Sequence, residues 1–197
     1  MKLTDKRNSY LQSTYYIDCN NTNIISAAER LSANSEIETA EKIFHFVRDN
    51  ILHSWDIRDK RAPARASEVL ETGVSICYGK ANLLAAIMRA AKIPSGICYQ
   101  RLTLGDTPAT GFCIHALNAV FLNTIKKWIR LDPRGNTASI HSEFDTEEEK
   151  LAFKVRPEIG EIDYPEIYSN PLPITMSTLE KNSDALFMYQ FCLPDRI

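Results

Sequence analysis

The chain has 197 residues, 44% of them hydrophobic, which suits one domain with a single substantial core. Its 23 Lys and Arg nearly balance 25 Asp and Glu, so no strong field points to nucleic acid or to an anionic membrane surface. Peptides, proteins and small amides remain as substrates.

The polar opening of residues 1–8 lacks the apolar run of a secretory signal, and no later segment has the roughly 18 apolar residues needed to cross a bilayer. The expected location is the cytoplasm. Residues 1–14 read as loosely ordered, and the ordered domain as starting near Tyr15, with a short strand over 14–17 before the turn at Asp18-Cys19-Asn20-Asn21. From 36 to about 51, Ile37, Ala40, Phe44, Val47 and Ile51 recur at helical spacing, and Ser35 with Glu38 forms a capping-box pattern. Residues 66–72 read as a short helix stopped by Gly73, and a second helix runs from Cys77 to Ala91, closed by Ile93-Pro94. Branched and aromatic residues then dominate 96–102, 112–122 and 128–132, which predicts three antiparallel strands. Beyond Asp132 the chain is polar and loop-rich. Its acidic stretch 145–149 reads as a solvated helix start, because it lacks the ligand pattern of a calcium loop, and a last helix is expected near 176–181.

The chemistry centres on three residues. A cysteine at a helix N-terminus meets unpaired backbone N–H groups and the positive end of the dipole, which favour thiolate over thiol. Cys77 is placed there. A base is also needed, and His115 on a strand can be held within reach of the sulfur. A carboxylate that accepts the other imidazole N–H fixes its tautomer, a role open to Asp132 at the end of the next strand. Singly, each has a plain explanation: a buried apolar filler, a core or surface histidine, a turn-starting aspartate. The ordered combination is what points to nucleophilic catalysis.

The segment Gly73-Val74-Ser75-Ile76-Cys77-Tyr78-Gly79-Lys80-Ala81-Asn82 through Lys92-Ile93-Pro94 resembles the nucleophile segment of the transglutaminase-like superfamily. Ile114-His115-Ala116-Leu117-Asn118-Ala119-Val120 and Trp128-Ile129-Arg130-Leu131-Asp132-Pro133-Arg134-Gly135-Asn136 continue the match in the family's Cys, His, Asp order. The resemblance covers 36–136, and the tail around 151–153 and 161–168 is similar to a bacterial branch. One departure is Ser75, where many relatives carry Gly. The resemblance implies an α+β, papain-like core in which a helix bearing Cys77 packs on an antiparallel sheet bearing His115 and Asp132. The domain would span 1–197, with its core at about 15–136 and residues 137–197 wrapping it.

The implied function is acyl chemistry on an amide or peptide through a thioester, with hydrolysis ahead of transfer to an amine. A catalytically silent peptide-binding module of the same fold is the competing class. The backbone N–H of Cys77 is one oxyanion donor by position, while Trp55 and Tyr78 are candidates for the oxyanion site or the cleft wall, with Lys80 a weaker one. His45, His53 and His141 read as structural or solvent-facing, with His141 the reserve base. Cys113 shares a strand face with His115 under two-residue alternation. The five cysteines, at 19, 77, 98, 113 and 192, are odd in number and form no Cys-x-x-Cys pair, so reduced thiols are expected, with no metal and no cofactor.

Overall fold

The computed structural model describes residues 1–105 and 107–197. Seven α-helices stand among the described residues: α1 (Thr22–Leu31), α2 (Glu36–Asn50), α3 (Ser54–Ile57), α4 (Ala66–Thr72), α5 (Cys77–Ala90), α6 (Pro173–Lys181) and α7 (Ala185–Phe191). The strands are β1 (Lys2–Leu3), β2 (Leu52–His53), β3 (Val74–Ser75), β4 (Ser95–Thr103), β5 (Phe112–Leu122), β6 (Lys127–Leu131), β7 (Ile162–Asp163) and β8 (Glu166–Ile167).

Helix α5 is the axis of the molecule. Its residues from Cys77 to Arg89 are all buried, Lys80, Asn82 and Arg89 included, so it is enclosed by neighbours on every side. Helices α1, α2 and α4 pack on it, together with strands β4 and β5. Helix α2 turns Ala40, Ile43, Phe44 and Val47 inward, and its Ser35 cap accepts the Glu38 N–H at 3.2 Å, as the capping pattern predicts.

The main sheet runs β6-β5-β4-β7, all antiparallel, with Gln100 opposite His115 and Asn118 opposite Leu131. Along β5 the pleat sends Ile114, Ala116, Val120 and Leu122 into the core shared with α5. Leu117 and Ala119 join Tyr10, Cys98 and Ile167 in a smaller cluster on the opposite face. The three predicted strands are present. The fourth, β7, comes from the tail, too short to carry an alternation signal.

Several expectations are corrected. The first residues are ordered: β1 pairs in parallel with β8, and Tyr10, fully buried, donates its hydroxyl to the Ile167 carbonyl at 2.6 Å. Residues 14–17 form a turn in which Thr14 N–H reaches the Ile17 carbonyl at 3.0 Å, because Ile17 alone of the four is buried and none of the described strands pairs with them. Helix α1 was missed although Ile24, Ala27 and Ala28 give it a buried stripe. The acidic stretch starts no helix: Asp145 caps the Glu147 and Glu148 N–H groups and pairs with Lys150, closing a turn. Helix α7 was also missed; its Asp184 cap accepts the Leu186 and Phe187 N–H groups.

Buried Arg89 stitches distant segments together. It donates to the carbonyls of Gln12, Ser95 and Ser169, joining the N-terminal segment, β4 and the tail at the exit of α5.

Candidate active site

Cys77 opens α5, after a turn that three contacts fix. Strands β2 and β3 pair in parallel, with His53 opposite Ser75. The Ser75 hydroxyl donates to the Pro63 carbonyl at 2.8 Å. Gly79, one helical turn on, lies so close to Ser75 and to the Pro63 carbonyl that a Cβ would overlap both. The Ser75 hydroxyl thus helps to pin the turn. No side chain caps the helix, which leaves its first N–H groups available at Cys77. The Cys77 side chain lines a cavity of about 1240 Å³, and the residue is 8% exposed.

His115 reaches the same cavity from β5. Its Nε2 lies 2.8 Å from Asp132 Oδ2, both groups being buried. Nδ1 is then the nitrogen left for Cys77. Burial opposes a charge on this ring, but the Asp132 charge and hydrogen bond, with Cys77 adding to both, outweigh it and hold the pKa above the ordinary histidine value. The Phe153 ring sits edge-on to the imidazole, with centroids 5.0 Å apart. Asp132 is held by three further contacts: Oδ1 accepts the Arg134 N–H at 3.1 Å, Oδ2 the Ala152 N–H at 3.3 Å, and its carbonyl the Ser142 hydroxyl at 2.7 Å. The hairpin of β5 and β6 therefore brings His115 and Asp132 together, and α5 brings Cys77 to them. Cys113 also lines the cavity, its thiol pushed up to about 12 by burial and by Cys77.

The other sequence candidates divide. Trp55 lines the cavity, stacked on Tyr189 at 4.6 Å with 17° between the planes. Tyr78 does not reach it: the ring is buried and its hydroxyl donates to the Ile114 carbonyl at 2.8 Å, bracing β5 one residue before His115. Lys80 is wholly buried, donating to the carbonyls of Arg48 and Ile51. His141 is exposed, and His45 lies 3.9 Å from Glu143.

Sequence reasoning gave no site role to four residues that line the cavity: His53, Asp56, Phe153 and Tyr189. His53, expected in a loop, is a buried strand residue on the cavity wall, held well below the usual histidine pKa by burial and by the positive charges of Arg134, Lys80 and His115. Asp56 binds Arg134 through both carboxylate oxygens and so ties α3 to the turn after Asp132. Phe153 and Tyr189 come from the tail. Neither His53 nor the tail residues gave a signal, since His53 reaches the wall only through the pairing of β2 with β3. Among the described residues no three His, Cys, Asp or Glu side chains are grouped to hold a metal ion, and no helix is long and apolar enough to cross a membrane.

A family model described as the transglutaminase-like superfamily matches residues 25–133. Among solved structures, one from Cytophaga hutchinsonii described as a proposed cysteine protease superposes with a TM-score of 0.52 at 16% identity, covering 65% of this chain and 42% of its own. The periplasmic domain of TgpA from Pseudomonas aeruginosa gives 0.48 at 15% identity, covering 66% of this chain and 48% of its own. The chain thus spans less than half of either protein. A comparison with curated proteins gives no match.

Proposed function

The chain belongs to the transglutaminase-like superfamily, and we propose that it carries out thiol-dependent acyl chemistry on an amide or peptide, with Cys77 as nucleophile, His115 as acid and base, and Asp132 orienting the imidazole. One observation carries the reading: a buried Asp132–His115 pair, 2.8 Å apart, at a helix-opening cysteine on the wall of a large cavity.

In the first step the Cys77 sulfur attacks the carbonyl carbon, and the electrons move onto oxygen. The oxyanion meets the Cys77 backbone N–H, a type of contact worth about 10²- to 10³-fold in rate; Trp55 is the side chain proposed to stand beside it. The tetrahedral species collapses, the C–N bond breaks, and the His115 imidazolium gives its proton to the departing amine. A thioester remains. Water, deprotonated by His115, then attacks it, and the acid and free thiol are released. Hydrolysis is favoured because the cavity is open to solvent. Transfer to an amine is the second reading, because about 1240 Å³ exceeds the roughly 300–1,000 Å³ of ordinary ligand pockets and leaves room for a second reactant.

The test is the rate of iodoacetamide alkylation of Cys77, followed by peptide mass spectrometry from pH 4 to 9, with the other four cysteines as internal controls. Wild type should label well below the unperturbed thiol pKa of about 8.5, and His115→Ala and Asp132→Ala should lose that low-pH reactivity. A Cys77 that reacts like the controls in all three proteins would favour the silent peptide-binding module.

A further inference from the structure

We infer that this cavity selects substrates carrying a carboxylate close to the reacting carbonyl; the inference rests on Cys77 being the nucleophile. The chain as a whole is slightly acidic, at −2, but the cavity wall is not. Arg58, Arg134, Lys154 and Arg156 line it, against the carboxylates Asp56 and Glu161. Both carboxylates are already engaged. Asp56 binds the Arg134 guanidinium through both oxygens. Glu161 accepts from Arg156 Nη2 and the Thr103 hydroxyl, each at 2.9 Å, and from the Thr103 N–H at 3.1 Å. Each of these pairs cancels its charge. Arg58 and Lys154 have no carboxylate within ion-pair distance among the described residues, so the described part of the wall carries two more positive than negative side chains.

Arg58 is also fixed in place. It closes α3 in a left-handed conformation, φ 57°, with its N–H returned to the Ser54 and Trp55 carbonyls. Its guanidinium lies 4.2 Å from the centroid of the Trp55 ring, which is itself stacked on Tyr189. A long cationic side chain is thereby held against the cavity wall instead of sweeping through solvent. Of the other titratable groups on that side, burial holds His53 well below the usual histidine value and pushes the Tyr189 hydroxyl up, so both favour their neutral forms. Arg58 and Lys154 are exposed, so salt screens them, but the low-dielectric wall they border focuses their field into the recess and raises the local concentration of an anionic ligand by about tenfold at low ionic strength. Hydroxyls of Thr137 and Ser139 on the same wall add uncharged donors suited to carboxylate oxygens.

The test compares alkylation of Cys77 by iodoacetate, an anion, with alkylation by neutral iodoacetamide, in wild type, Arg58→Gln, Lys154→Gln and the double variant. The iodoacetate-to-iodoacetamide rate ratio at Cys77 should exceed that of the urea-unfolded protein by about tenfold. It should fall several-fold in the double variant and again in 0.5 M salt, an ionic strength at which the Debye length is well under about 8 Å. A ratio that the double substitution leaves unchanged overturns the inference, since the preference would then belong to His115 alone. Inertness of Cys77 to both reagents overturns the nucleophile reading, whereas fast labelling without charge preference overturns only the substrate class. A second arm measures protection of Cys77 from iodoacetamide by three peptides: glutamate-containing with an amidated terminus, neutral with a free carboxylate, and neutral with an amidated terminus. Stronger protection by the first or the second identifies a side-chain or a terminal carboxylate, and equal protection by all three overturns the inference.

Discussion

Two buried bases near the site depart from their ordinary pKa values in opposite directions, and each has its own pH signature. His115 is raised above 6.5 because the charge of Asp132 and the contact with Cys77 outweigh its burial. Its contribution to stability is complete below 6.5 and is lost as pH rises through the higher folded value. Lys80 is lowered from 10.5 to about 7 by burial, with Arg134 adding to it. Between about 7 and 10.5 the unfolded chain holds a proton that the folded one lacks, so stability rises with pH there. The two slopes oppose each other in wild type. Lys80→Met removes the rising one, and urea unfolding from pH 6.5 to 10 should show the variant losing stability with pH more steeply than wild type, whatever its stability at neutrality. Matching slopes would mean that Lys80 stays protonated when folded. At this scale the sequence was legible for placement: Cys77, His115 and Asp132, read from their order along the chain, come to one cavity wall or pair beside it. It was misleading for Tyr78, because position beside the nucleophile does not say that the ring turns inward to the Ile114 carbonyl. His53 was invisible for the reverse reason: only pairing of β2 with β3, across more than twenty residues, turns it into a cavity residue.

The element that matters most is α5, and its weak point is its first turn. Gly79 is there because the helix must approach Ser75 and the Pro63 carbonyl more closely than a methyl group allows. Gly79→Ala would gain intrinsic helix propensity of about 1 kcal/mol, yet the clash is with backbone and with a hydroxyl already bonded to it. Overpacking should win, with a net loss of at least about 2 kcal/mol. Thermal unfolding checks this, and an unchanged or raised Tm would show that the turn can relax. Helices and strands with a long apolar period were readable: α2, α4, α5 and the strands β4 to β6 lie within a residue or two of their predicted ends. Elements stabilised by what they touch were not. Strand β1 is two residues long and exists because β8 lies beside it, and α7 has a capped start but only Ala185 and Met188 buried.

Taken whole, the molecule is closed by its tail. Residues 137–197 supply β7 to the edge of the sheet, Phe153 to the imidazole, and Tyr189 to the stack with Trp55. Glu161 anchors this segment. Burial works against its charge, but Arg156 and Thr103 more than compensate and bring its pKa from 4.5 down to about 2. Its contribution is present above 4.5 and is lost as pH falls through about 2. In Glu161→Gln the decline of thermal stability between pH 4.5 and 2 should therefore be shallower than in wild type; an unaltered acid limb would assign that decline to other carboxylates. A wrapping tail was expected from its prolines and polar texture, but its entry into the sheet and the cavity was not, because two-residue strands and single aromatic rings carry no periodicity. The same arrangement sets an order of events during synthesis. Cys77, His115 and Asp132 emerge from the ribosome ahead of the segments that seat Asp132, flank His115 and complete the Trp55 stack. Loop closure between β1 and β8 must also wait for residue 166. A nascent chain therefore presents these three side chains before the segments that surround them in the fold have emerged.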